Sequence, residues 1–254
     1  MANAKFKRRS EIVRIVREKK QMSCVELSKT FGVTEETIRK DLQELSEKGE
    51  LLRTFGGAMV REYGTERSLD QRIIQNLEQK KRIAQKAVST LKSGDLVAMD
   101  AGSTVTMMAK AIPDHLKITV LTNSLEICNI LSEKENVTVI CTGGKLHKKS
   151  MSLQGMLTES TINSLNAEKA FISCAAFDIK LGVMDSNEEA ARTKQSMIRN
   201  AREVYLLMDS SKIGCIAYIT TCPASSITKV VTDNGAAVEA VKKMEDLGIE
   251  MILA

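Results

Sequence analysis

The chain has 254 residues, 43% hydrophobic and 27% charged, with 3% aromatics and no Trp, so it reads as a soluble globular protein with an aliphatic core. No apolar run approaches the roughly 20 residues needed to cross a bilayer, and the basic start, MANAKFKRRSEIVRIV, lacks the continuous apolar segment of a signal peptide. A membrane partner and secretion are therefore not expected, and the predicted location is the cytoplasm.

The net charge of +5 is unevenly placed. Residues 1–61 hold 14 basic and 9 acidic side chains, and the remainder balances at 23 of each. A polyanion would be held by this first quarter through phosphate contacts and counterion release. The six cysteines form no CxxC pair, and His115 and His147, the only histidines, form no metal-ligand cluster, so neither a metal nor a cofactor is expected.

In chain order, residues 8–18 place Ile12, Ile15 and Val16 on one helical face. A polar break, KKQM, follows. Ser23 is the expected N-cap of a second helix, CVELSKTF, with Glu26 completing a capping box and Gly32 ending it. Thr34 is the next N-cap, with Glu35 and Glu36 in the first turn of a helix over about 35–48. There Ile38, Leu42 and Leu45 form a buried stripe, Glu36, Lys40 and Gln43 form the opposite face, and Gly49 is the stop. ELLRTFGGAMV then reads as two short strands about a turn. Three short helices and a wing describe a winged helix-turn-helix over residues 1–60.

The run CVELSKTFGVTEETIRKDLQELSEKGELLRTFGGA resembles the DNA-binding signature of the DeoR family of bacterial repressors of carbohydrate metabolism. Lys40 stands where the family usually has a second arginine, and Phe55 where it usually has histidine. The resemblance implies that the third helix enters the major groove of a double-stranded DNA operator, with Thr34, Glu36, Thr37, Arg39 and Lys40 facing the groove and Arg53 of the wing on phosphate. Arg39 would pair with guanine and Glu36 with cytosine. Lys40 lacks the bidentate fork of arginine and suits phosphate.

Residues 61–76 are mixed and charged and read as a partly helical linker. From 77 to 254, a helix at about 78–91 is followed by alternating signals. Strands are predicted at 96–100, 118–123, 137–144, 169–177, 204–209, 215–220 and 228–233, with a closing IEMILA, and helices near 103–111, 124–132, 158–165, 188–201 and 236–247. This pattern is α/β: a mostly parallel sheet covered on both faces, with a ligand beyond the carboxyl ends of its strands. The strand ends DAGSTVT, TNS, TGGK and DSSK carry short polar residues and glycine, suited to an anion such as phosphate. Lys145, Lys148 and Lys212 are its expected counter-charges.

This half also resembles the DeoR sensor domain, through DAGST, LTNSLEI, TGG, FDIKLGV and MDSSKIG in order. The resemblance implies a fold similar to ribose-5-phosphate isomerase and a phosphorylated sugar effector. Gly102, Ser103, Thr104 and Lys212 would bind phosphate, and Asn123, Gly143, Gly144 and Asp178 would line the sugar side, with Glu189 a looser match. Asp100 and Lys145 complete the expected effector-binding set. The isomerase pattern needs a close acidic pair and a lysine before a glycine tract. Here the expected partner of Asp178 is Leu181 and the glycine tract is missing, so no enzyme activity is expected. The alternatives are an isomerase-like enzyme with an appended DNA-binding domain, and an architectural DNA-binding protein whose second half only oligomerises. Operators with two half-sites call for a homodimer or homotetramer.

Overall fold

The computed structural model describes residues 2–19, 21–47, 51–54, 56–60 and 67–254. The chain divides into two compact units, Met1–Tyr63 and Gly64–Ala254.

In the first unit the order is α1 (Ala2–Lys19), β1 (Gln21–Ser23), α2 (Cys24–Phe31), α3 (Glu35–Glu47), β2 (Leu51–Thr54) and β3 (Gly57–Val60). The caps are those the side chains predict. Ser23 N donates to Glu26 Oε2 at 2.8 Å, Glu26 N donates to Ser23 Oγ at 3.2 Å, and Gly32 closes α2 in the left-handed region. Thr34 Oγ1 accepts from Thr37 N at 3.3 Å, so α3 starts one residue later. Ile12, Val16, Leu27, Ile38 and Leu42 are fully buried together. Gln21–Ser23, entered from the expected polar break before α2, form a strand. Met22 turns inward, and β1 pairs with β3 to give an antiparallel sheet ordered β1-β3-β2. Gly49 and Phe55 lie outside the described residues.

The second unit continues as α4 (Leu69–Ile74), α5 (Leu77–Val88), β4 (Leu96–Met99), α6 (Ser103–Ala111), β5 (Ile118–Thr122), α7 (Leu125–Ser132), β6 (Val137–Cys141), β7 (Lys145–His147), β8 (Ser152–Gln154), α8 (Met156–Asn163), β9 (Ala167–Ile172), β10 (Ala176–Asp178), β11 (Gly182–Asp185), α9 (Glu188–Arg199), β12 (Ala201–Leu207), β13 (Ile219–Cys222), β14 (Lys229–Thr232), α10 (Val238–Glu245) and β15 (Glu250–Leu253). A seven-stranded parallel sheet, ordered β15-β14-β12-β9-β4-β5-β6, forms its centre. Successive residues of its strands face opposite layers. Val97, Met99, Val120, Phe171 and Leu207 pack with α5, α6 and α7. Ala98, Leu121, Ala170, Ile172 and Leu206 pack with α8, α9 and α10. Burial on both faces is what makes these strands apolar throughout.

Three expectations need correction. Residues 67–76 of the expected linker belong to the α/β unit: Leu69 is buried, its N–H donates to Lys149 O at 2.7 Å, and α4 packs against α6. The expected strand 169–177 is two strands. After Ile172 the chain turns away from the main sheet, and β10 joins an antiparallel sheet ordered β10-β11-β13. Of the expected strand 215–220 only Ile219 and Thr220 are strand, and they open β13 of that small sheet. The β7–β8 hairpin had no clear signal, since each strand is three residues long.

Candidate functional site

On α3, Glu36, Arg39 and Lys40 are exposed, as is Arg53 on β2. The helix presents them because Ile38, Leu42 and Leu45 occupy its inner face. Arg39 Nη2 lies 3.3 Å from Glu35 Oε2, and Lys40 Nζ lies 3.7 Å from Glu36 Oε1. Such exposed i,i+4 pairs are worth about 0.3–0.5 kcal/mol, little enough for a phosphate or base to replace. Arg53 Nη1 donates to Gln43 Oε1 at 2.6 Å, which ties the wing to the outer face of α3. The hydroxyls of Thr34 and Thr37 lie 2.9 Å apart at the helix start and are used in capping.

Helix α3 is tied to α1 by a group the sequence reading did not single out. Asp41 is 1% exposed and accepts from Arg8 Nε at 2.6 Å and Arg9 Nε at 2.7 Å. Arg9 also bonds Glu44 and holds its carboxyl down to about 2.

In the α/β unit the expected residues gather at the carboxyl ends of β4, β5, β6 and β12. These four ends share one sheet but are not all adjacent, because β9 lies between β12 and β4. The end of β9 supplies the link. Asp100 accepts from Gly102 N at 2.5 Å and from Ser173 N at 2.8 Å. A Cβ on Gly102 would sit 1.8 Å from Ser173 Oγ, so only glycine fits the turn. Lys212 Nζ donates to Cys174 O, next to Ser173. The 100–104 turn and Lys212 therefore flank the same two residues. Asp178 is close in the chain path as well, since Gly214 N donates to Phe177 O at 2.8 Å. Its own carboxylate accepts from Lys180 N and Leu181 N, forming a turn.

The second group adjoins the first, because β4 and β5 are neighbours and Thr122 Oγ1 donates to Met99 O. Asn123 Nδ2 donates to Leu153 O at 2.9 Å, and Leu153 N returns a bond to Asn123 O at 2.7 Å. At Gly144, with φ of 122°, a Cβ would fall 2.3 Å from Thr158 Oγ1, so the TGG turn is pressed onto β8 and α8. Gly143 O accepts from Thr158 Oγ1 at 2.7 Å. Lys145 stands apart at the rim, exposed, with Nζ 3.9 Å from Glu189 Oε1.

Polar atoms without partners mark the same place. Thr104 Oγ1, Asn123 Oδ1 and Gln154 Oε1 are buried and have no hydrogen-bond partner among the described residues. Their residues are 0%, 4% and 2% exposed. A buried acceptor left unpaired costs about 1–3 kcal/mol. The N–H groups opening α6 have no side-chain cap either. Gln154 was missed by sequence reasoning because its short strand gave no signal.

Beneath these atoms lies a buried charge cluster that was also missed. Lys194 of α9, 7% exposed, lies 2.5 Å from Asp185 Oδ1 and 3.4 Å from Asp100 Oδ2, and Thr221 Oγ1 donates to Asp185 Oδ2 at 2.7 Å. Burial works against the charge on Lys194, but Asp185 and Asp100 outweigh it and raise its pKa. Burial pushes the Asp100 carboxyl up, against the pull of Lys194. Burial also pushes the Cys174 thiol up to about 12. Asp100 is thus a support for the turn, its oxygens committed to protein donors.

Residues 8–63 match the family model of the DeoR-like helix-turn-helix domain, and residues 75–234 match that of the DeoR C-terminal sensor domain. The chain belongs to the DeoR family. It is similar to the helix-turn-helix-type transcriptional regulator YulB of Bacillus subtilis (strain 168), with 39% identity over 245 residues, 96% of this chain and 95% of that protein. It is also similar to the lactose phosphotransferase system repressor of Staphylococcus epidermidis, with 32% identity over 235 residues, 91% and 92% of the two chains. Among solved structures, ribose 5-phosphate isomerase A of Methanocaldococcus jannaschii aligns over 55% of each chain, with 16% identity and a TM-score of 0.42. As a DeoR-family member the protein is a DNA-binding transcriptional regulator, and the curated relatives named here are regulators and repressors rather than enzymes.

Proposed function

We propose that this DeoR-family protein is a cytoplasmic repressor of a carbohydrate operon, released from its operator by a phosphorylated sugar. In this reading α3 lies in the major groove, Arg39 takes guanine, Glu36 accepts from cytosine, and Lys40 and Arg53 hold phosphates. Thr34 and Thr37 set the helix start at the backbone. In the second unit, Ser103 and Thr104 with Lys212 receive the phosphate, on the turn that Asp100 and Gly102 shape. Asn123, with the Gly143–Gly144 turn behind it, receives the sugar. Asp178 and Lys145 border that site.

The observation that carries the effector assignment is the set of buried, unpartnered oxygens of Thr104, Asn123 and Gln154. Asn123 and Gln154 have already spent amide donors on protein, so their free carbonyl oxygens call for ligand hydroxyls. An uncapped helix start beside them calls for an anion. A polyol phosphate has both features. Isomerase chemistry is disfavoured by the Asp178 carboxylate, whose turn engages it with backbone N–H groups and whose expected partner position is Leu181. The protein acts as a homodimer or homotetramer, matching paired half-sites.

Thermal-shift measurement with pentose, hexose and glycerol phosphates tests the pocket. At 100 times its dissociation constant an effector adds about 2.7 kcal/mol of stability. If no sugar phosphate stabilises the protein while the unphosphorylated sugars do, the anion half of the assignment is wrong.

A further inference from the structure

Arg72 lies on α4, the first helix of the second unit, and its Nε and Nη2 atoms are buried without a hydrogen-bond partner among the described residues. A guanidinium has no neutral form at accessible pH and is costly to withdraw from water unless an anion meets it. Its surroundings are cationic as well. Lys80, 3% exposed, donates from Nζ to the carbonyl oxygens of Arg72 and Gln75. Burial holds Lys80 at about 8 despite the pull of Asp209, with Lys212 and Arg72 adding to the depression. Lys80 thus faces two further cations and one carboxylate, Asp209, which already accepts from Asn76 Nδ2 at 2.9 Å and from Ser211 Oγ. Asn76 sits in the left-handed region between α4 and α5, and Nδ2 also reaches Ser211 Oγ at 3.1 Å. The same α4 packs against α6, whose start is uncapped.

We propose that Arg72 is a direct contact for the anionic group of the effector, closing a phosphate cradle whose other parts are Lys212 and the start of α6. This rests on the phosphorylated-sugar reading above and adds a residue and a route to it. The anion is gripped by the first helix that follows the DNA-binding unit in the chain. Pairing at the unpartnered guanidinium nitrogens makes the bound state differ from the free state at that helix.

The test uses the full-length protein, with inorganic phosphate titrated against chloride at constant ionic strength and melting temperature as the readout. Wild type shows a saturable rise. Arg72→Met, which removes a desolvated charge, melts at the same or a higher temperature in chloride and loses at least tenfold in phosphate affinity. Arg72→Lys, which keeps the charge without the fork, falls between them and serves if the Met variant does not fold. Wild-type phosphate affinity in both variants, alongside its loss in Lys212→Met, overturns the role of Arg72 and leaves the pocket standing. Absence of any saturable phosphate effect in wild type overturns the pocket reading together with this inference.

Discussion

The two units handle charge in opposite ways. On α3, Arg39 and Lys40 are exposed and paired with glutamates one turn away, at 3.3 and 3.7 Å. Under the strand ends, Lys194 is sealed between Asp185 and Asp100, and its partners are in turn bonded to Thr221, Ser173 and Gly102. Exposed pairs of the first kind contribute a few tenths of a kcal/mol and exchange readily for a phosphate. A buried network of the second kind holds its geometry whether or not a ligand is present. The helix proposed to read DNA is built from replaceable contacts, and the turn proposed to receive a small anion is built on fixed ones.

The largest expected effect follows from breaking the fixed network. Lys194→Met leaves two buried carboxylates facing each other and should destabilise the protein by about 3–5 kcal/mol. Urea unfolding followed by circular dichroism reads this. Arg192→Ala, which breaks only the exposed pair with Glu188, should change it by less than about 0.5 kcal/mol. Equal effects of the two variants would erase the contrast. Next in size is Arg39→Ala, expected to weaken cognate operator binding by about 1–3 kcal/mol while leaving binding to unrelated duplex nearly unchanged. Fluorescence anisotropy at fixed salt separates the two, and a uniform loss on both duplexes would move Arg39 from base to phosphate.

Smaller effects sharpen the comparison. Arg53→Ala should lower affinity evenly across sequences and reduce the slope of log affinity against log salt by about 1. Beside the proposed anion cradle, burial holds Lys80 at about 8, below its ordinary 10.5, with Asp209, Lys212 and Arg72 as its charged neighbours. Sulfate, which does not titrate in this range, should therefore bind less tightly as pH rises from 7 to 9 and Lys80 loses its proton. In chloride alone the sign reverses. The unfolded state holds that proton up to about pH 10.5, so the contribution of Lys80 to stability increases between pH 8 and 10.5. A calorimetric titration with sulfate at the two pH values checks the first statement.

Legibility differed between the units for a physical reason. In the first, the decisive signals are local: Ser23 with Glu26, Gly32, Thr34 with Thr37, and the Ile38–Leu42–Leu45 stripe each act within one or two helical turns. The strand β1 escaped because its pairing with Gly57–Val60 is a long-range contact. In the second, apolar strands and the glycine-rich strand ends were readable, since a parallel sheet leaves a continuous hydrophobic record. What joins the ends was not. Ser173, Gln154, Lys194 and Asp185 are ordinary residues in the chain and acquire their roles only through neighbours brought in by the sheet. The helical character of residues 61–76 was read, but the membership of α4 in the α/β unit was not, as only Leu69 of its six residues is buried.

The central claim is that occupation of the strand-end pocket changes the grip of α3 on DNA. The direct measurement is the affinity of the full-length protein for its operator duplex, by anisotropy at constant ionic strength, with and without saturating pentose, hexose and glycerol phosphates. At least one should change the dissociation constant about 5- to 150-fold. A dissociation constant unmoved by a sugar phosphate that demonstrably binds the protein would contradict the account.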